Sequence, residues 1–166
     1  MILDLLDCGA SDHIAITVSG GPSITYSGLR KQVEKLVRVL NELGLGQGDR
    51  IAMALGNGLE MTASFLAAAT AGTAAPLNPS YKYDEFKFYL EDTRAKALIV
   101  PPLELPEARR AAEEAGIQII EASTDSQGRV VFSSSRMAVA SMSSLARDPS
   151  SPTFRAGPTR TSASSL

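Results

Sequence analysis

Two glycine-rich stretches, Gly44–Gly48 (GLGQG) and Gly56-Asn57-Gly58, have the composition from which phosphate cradles are built. A cradle needs backbone N–H groups converging where a helix opens after a strand. Neither stretch has the spacing to a Lys-Ser or Lys-Thr pair that a triphosphate loop uses. GLGQG follows a helical pattern and precedes a strand pattern, so it reads as a helix stop and turn. Gly56–Gly58 does follow a strand and open a helix. Two readings stay open there: amides that face an anion, or a tight turn with Asn57 as the cap.

Acid–base and nucleophilic chemistry finds little material. Glu91 and Asp92 are adjacent and diverge on a helix, and Glu113 and Glu114 do the same on a solvated face. Asp84 and Glu85 open a helix, where the positive end of the helix dipole already accounts for them. His13, the only histidine, lies between Asp12 and an Ile-Ala-Ile run and reads as a turn or strand-edge residue. Cys8, the only cysteine, has no partner for an internal disulfide and reads as a buried small hydrophobe. No group of His, Cys, Asp and Glu has metal-ligand spacing. No catalytic, cofactor-binding or metal-ligating residue is assigned to this chain from its sequence.

The totals set the class. A chain of 166 residues with 44% hydrophobic and 20% charged residues has the length and composition of one globular domain with a core. A net charge of −2 supplies no basic field for nucleic acid. No window approaches the roughly 18 apolar residues of a membrane span. The start, MILDLLDCGASD, carries acids where a secretory leader would carry Lys or Arg. Ser164-Ser165-Leu166 lacks the basic middle residue of a peroxisomal address. The expectation is an intracellular protein, cytoplasmic or peroxisomal, without a convincing targeting signal.

The elements that would position any site alternate in an orderly way. Strands are expected at Ile14–Val18 and Ile24–Tyr26, paired as a hairpin through Gly20-Gly21-Pro22. Ser27 reads as the N-cap of a long amphipathic helix whose apolar face is Leu29, Val33, Leu36, Val37, Leu40 and Leu43, ended by Gly44. Strands follow at Arg50–Leu55, Ala74–Leu77, Ala97–Val100 and Ile117–Ile120. Helices are expected between them at Leu59–Ala71, Tyr83–Thr93 and Pro106–Ala115. Such alternation with short links predicts an α/β fold, a mostly parallel sheet with helices on its faces. The expected domain is residues 1–132. Residues 133–166, rich in Ser, Pro, Arg and Thr, are expected as a low-complexity tail with a short helix at most at Met137–Leu145.

The order of the pieces resembles a known family. SITYSGLRKQVEKL (Ser23–Leu36) is similar to the first core motif of AMP-forming adenylating enzymes, written L-T-Y-x-E-L, with Gly28 standing where the family has Glu. Gly48–Val100 is similar to the second core region. There Ala71-Gly72, Pro76-Leu77-Asn78-Pro79, Tyr81 and Glu85-Phe86 fit the acyl- and aryl-CoA synthetase branch, in particular the peroxisomal CoA-synthetase and oxalate–CoA ligase group. The resemblance implies the N-terminal part of a carboxylic acid–CoA ligase, which joins an acid to ATP as an acyl-adenylate and passes the acyl group to CoA.

The implied partners are a small carboxylic acid, ATP, Mg²⁺ and CoA, none of them bound by this segment alone. The family's phosphate loop, T-S-G-T-T-G-x-P-K, is not present; Thr161–Ser165 (TSASS) echoes it without the Gly or the Pro-Lys. The segment alone is therefore expected to be inactive. A frameshift or splice error after about Phe132 would explain the tail, and natural disorder competes with it; absence of T-S-G-T-T from every downstream frame would sink the first. The alternative to a ligase fragment is a non-catalytic α/β binding or interaction module.

Overall fold

The computed structural model describes residues 2–6, 8–18, 21 and 23–134. The expected tail and the helix at Met137–Leu145 lie outside them, except for Ser133 and Ser134. The elements run α1 (Ile2–Leu6), β1 (Ile14–Thr17), β2 (Ser23–Thr25), α2 (Tyr26–Glu42), β3 (Arg50–Met53), α3 (Leu59–Ala71), β4 (Thr73–Pro76), α4 (Tyr83–Asp92), β5 (Ala97–Val100), α5 (Pro106–Glu114), β6 (Gln118–Thr124) and β7 (Val130–Ser133). β1 and β2 form the expected antiparallel hairpin. The other five strands form one sheet in the order β4-β3-β5-β6-β7. All its pairs are parallel except β6 with β7.

Two elements come as additions. α1 is a single short turn of helix, and β7 is a four-residue strand returning beside β6. The turn that returns it is built by Asp125, whose Oδ1 accepts from the N–H groups of Gln127 (2.8 Å) and Arg129 (2.9 Å).

The caps correct the sequence reading twice. α2 starts at Tyr26, and Thr25, not Ser27, caps it: the Thr25 hydroxyl accepts from the Gly28 N–H at 3.1 Å. Ser27 already lies in the first turn. α3 is capped by Gly58, in extended backbone, and Asn57 makes no cap. Ending α2, Gly44 takes the left-handed conformation (φ 82°) that favours glycine.

The sheet is covered on both faces, so its central strands read as unbroken apolar runs rather than alternating ones. β5 is buried throughout. On one face Ile51, Met53, Ile99 and Ile120 meet Leu29, Val33, Leu36 and Leu40 of α2 and the small residues Ala63, Ala67 and Ala68 of α3. On the other, Ala52, Leu98 and Val100 meet Phe86 and Leu90 of α4 and Ala108, Ala111 and Ala112 of α5. Each fully buried Leu or Phe stabilises the fold by about 1.5–3 kcal/mol.

The strand order explains why the helices divide this way. From β3 the chain crosses to β4 on one side, then over β3 to β5 on the other. Right-handed crossovers in opposite directions put α3 and α4 on opposite faces.

Gly72 joins α3 to β4 with no space for a side chain: a Cβ there would stand 2.6 Å from the Asp49 carbonyl and 2.8 Å from that of Gly46. The edge strand β4 is short. Thr73 donates to Asp49 and Leu77 to Met53, so Pro76, without an N–H, falls at an outward position where another chain would otherwise pair. No helix among the described residues is long and apolar enough to cross a membrane.

Candidate functional site

In open α/β sheets, ligands bind beyond the carboxyl ends of the strands where successive crossovers diverge. Here that point lies between β3 and β5, whose outgoing chains lead to α3 and α5 on opposite faces. The structure has a cleft of ≈ 400 Å³ there. Its walls are Leu55-Gly56-Asn57 and Glu60 after β3, Pro101, Pro102 and Glu104 after β5, and Ala122–Thr124 at the end of β6.

The turn Gly56–Gly58 therefore lies at the mouth of the cleft, as a phosphate cradle would, but its charge is wrong. Glu60 sits in the first turn of α3, and its Oε2 lies 3.3 Å from where a Gly58 Cβ would be. A carboxylate of the chain itself thus occupies the positive end of the helix, where it is favoured by the dipole and repels a second anion. Thr124 donates its hydroxyl to the other oxygen of Glu60, tying α3 to the end of β6. Glu104 adds a second acid, and among the described residues no Lys or Arg lines the cleft. Of the two readings left open for Gly56–Gly58, the tight turn describes what is present.

The opposite wall is held by a residue that sequence reasoning missed. Arg109 of α5 donates from Nε to the Glu104 carbonyl (2.7 Å) and from Nη2 to the Pro101 carbonyl (2.6 Å) and the Glu121 carboxylate (2.8 Å). The loop it clasps contains two non-glycine residues in the left-handed region, Leu103 (φ 57°) and Leu105 (φ 55°). Such backbone is costly unless its surroundings hold it. Leu103 is 94% exposed, so packing does not hold it; the guanidinium does. The double proline before these leucines was the available sequence signal.

The remaining candidates fall elsewhere. GLGQG is the turn between α2 and β3, with Gly46 N–H donating to Asp49 (3.0 Å). His13 is an exposed residue just before β1, as expected. Cys8 is exposed, not buried as its residue type suggested, because α1 and the segment after it lie at the rim of the core. Asp84 and Glu85 open α4 as expected, and Glu85 accepts from the Lys82 N–H at 2.9 Å.

Glu113 and Glu114 do diverge, yet Glu114 does more than face solvent. It accepts from the Tyr83 hydroxyl and from Arg110 Nε (2.9 Å), linking α4 to α5. The Tyr83 and Arg110 hydrogen bonds hold its carboxyl below the usual glutamate range, while the same contact raises the Tyr83 phenol. The aromatic corner Leu77–Leu90 is a packing element. Asn78 closes the turn by accepting from the Ser80 N–H (2.9 Å), Tyr81 stacks on Tyr89 at 5.1 Å, and Phe86 and Leu90 enter the core.

Comparison with known proteins supplies what the cleft alone does not. Residues 9–161 match the family of AMP-binding enzymes. A probable CoA ligase of Humulus lupulus, CCL9, is 39% identical over 113 residues, covering 68% of this chain. An oxalate–CoA ligase of Arabidopsis thaliana is 34% identical over 113 residues, covering 67% of this chain. The chain spans 22% of the length of each of these two relatives. Among solved structures, apo MatB from Rhodopseudomonas palustris is similar with a TM-score of 0.66 and 26% identity, over 78% of this chain and 26% of that one.

Proposed function

The chain belongs to the AMP-binding enzyme family, and from that premise we propose that it is the N-terminal part of an AMP-forming carboxylic acid–CoA ligase. In that reaction a carboxylate oxygen attacks the α-phosphorus of ATP and pyrophosphate leaves with its bonding electrons. The CoA thiol then attacks the acyl carbon of the adenylate, loses its proton, and expels AMP. Both steps require positive charge around phosphate oxygens, which lysines, backbone amides and Mg²⁺ supply.

The observation that carries the division of labour is the sign of the switch-point cleft. Its described lining residues bring Glu60 and Glu104 and no cation. In this reading the described residues are scaffold: they supply a rigid parallel sheet whose strand ends face the site. Phosphate binding and acid selection belong to parts of the ligase not found among them. The segment alone is then inactive.

Pyrophosphate release from ATP, measured with the 166-residue chain and a panel of short mono- and dicarboxylic acids, tests this. No turnover is expected from the chain, with turnover from a longer protein that contains it. Acid-dependent release by the chain alone would overturn the reading, as would a longer protein that binds a partner but never forms an adenylate.

A further inference from the structure

The aromatic corner that leads into α4 holds a pair of tyrosines face to face. Tyr81 lies two residues before the helix and Tyr89 near its end. Their ring centroids are 5.1 Å apart and their planes lie within 13° of parallel. Other aromatic rings fix the pair from its sides. Phe86, 1% exposed, makes a T-shaped contact with Tyr81 at 5.9 Å, and Phe88 makes one with Tyr89 at 5.2 Å. The backbone holds Tyr81 as well, its N–H donating to the Asn78 carbonyl at 3.2 Å. Both tyrosines are half-buried, so part of each ring reaches solvent.

The two hydroxyls share one end of this stack. The Tyr89 hydroxyl, with burial and Glu85 adding to it, raises the Tyr81 phenol above its ordinary range. Stacked rings with their hydroxyls side by side also bring together the ring carbons ortho to them. Those carbons are where a phenoxyl radical carries much of its unpaired electron. The other two of the four tyrosines have no such neighbour. Tyr83 turns its hydroxyl to Glu114 and its ring to the Arg110 guanidinium, 4.5 Å away. Tyr26 opens α2 with its ring over Gly9. The chain has no tryptophan to be oxidised in their place.

We propose that Tyr81 and Tyr89 are an oxidative cross-linking site, coupled within one chain to a dityrosine by a one-electron oxidant such as a peroxidase acting with hydrogen peroxide. Each phenol gives up one electron and one proton, and the two phenoxyl radicals join through their ortho carbons. Each of those carbons then loses its hydrogen as a proton while the oxygen beside it regains one. The chain loses two electrons and two protons in all, and hydrogen peroxide takes them up to become two molecules of water. The new bond closes a covalent loop from Tyr81 to Tyr89 and pins the corner after β4 to the helix that follows. The step does not depend on the ligase reading.

The test treats the dilute 166-residue chain with a peroxidase and limiting hydrogen peroxide, then follows dityrosine by its fluorescence and by the masses of tryptic peptides. Trypsin places each tyrosine in a different peptide, because Arg30, Lys82, Lys87 and Arg94 separate them. The expected product is a monomer in which the peptide ending at Lys82 is joined to Phe88–Arg94 with the loss of two hydrogen atoms. Its yield per chain should not change on dilution. Tyr81→Phe and Tyr89→Phe each keep a ring in the stack and should each lose this product, whereas Tyr83→Phe should keep it. In urea, where the stack is lost, Tyr83 should compete as a partner. No dityrosine, a product found only in dimers, a main bond to Tyr26 or Tyr83 in the folded chain, or unchanged Tyr81–Tyr89 selectivity in urea would each overturn the proposal.

Discussion

Two clefts, the one at the strand ends and one between α2 and the turn before β7, flank the β6–β7 hairpin yet carry opposite charge. Among the described residues, the one at the strand ends has Glu60 and Glu104 and no cation, and the one beside α2 has Lys31, Lys35 and Arg129 and no acid. The first occupies the place where an α/β sheet presents a ligand site, and the second does not. Topology thus marks where a cleft forms, while the side chains decide which sign of ligand it accepts. In this chain of the AMP-binding family the described lining of the switch-point cleft carries acids, Glu60 and Glu104, where a phosphate site would carry cations.

The severest way to break this comparison is to loosen α2 from the sheet. Leu36, 1% exposed, packs α2 onto the sheet, and Leu36→Ala should cost about 2–5 kcal/mol in chemical denaturation. Hydrogen exchange should rise together in α2, β3 and β5. Protection lost from α2 alone would mean that the basic cleft rests on a separately unfolding layer, and the comparison would be between two units.

Arg109→Met should act on one cleft only. It removes hydrogen bonds to Pro101, Glu104 and Glu121 that hold two left-handed leucines. A loss of about 1.5–3 kcal/mol is expected, the range for bonds made by a charged donor. Amide exchange should increase at residues 103–106 and stay unchanged at 127–130. Equal changes at both places would show that the hairpin couples the clefts.

Glu60→Gln sharpens the question of charge. The carboxylate at the start of α3 contributes about 0.3–1 kcal/mol through the helix dipole, and the loss should be of that size. If sign is what keeps phosphate out, the variant should show a weak saturable response to pyrophosphate in amide shifts at Gly56–Gly58 that the parent chain lacks. Identical behaviour of the two would mean that shape, not charge, excludes it.

The smallest expected effect lies away from both clefts and serves as their control. Glu114 has its carboxyl lowered by Tyr83 and Arg110. Its contribution is therefore complete above the ordinary glutamate pKa and is lost as pH falls through the lowered folded-state value. Glu114→Gln should lower the neutral plateau of the melting-temperature profile slightly and leave its acid end unchanged, so that the acid limb flattens. A change confined to alkaline pH would point instead to the raised Tyr83 phenol.

Much of the fold was legible. The apolar stripe of α2 has the helical period, the small-residue run of α3 is too long for a strand, and the run of β5 is too short for a helix; all three emerge where expected. Cap positions were less legible, because Thr25 and Ser27 are equally good caps by type. Only the path of the chain leaving β2 gives the role to Thr25. β7 was missed because Val130-Val131-Phe132 is a short run with no alternation; the Asp125 turn before it was the available signal.

By itself the sequence determined the alternation of elements and the likeness to a family, because both are written as local order along the chain. The tertiary structure decided everything that depends on residues distant in sequence. It set Glu60 against Thr124 and drew Arg109 over the Pro101–Leu105 loop. It also buried Gln32 Nε2 with no acceptor among the described residues. The physical reason is that charge and hydrogen-bond satisfaction are properties of neighbours in space, and spacing along the chain does not say which neighbours those are.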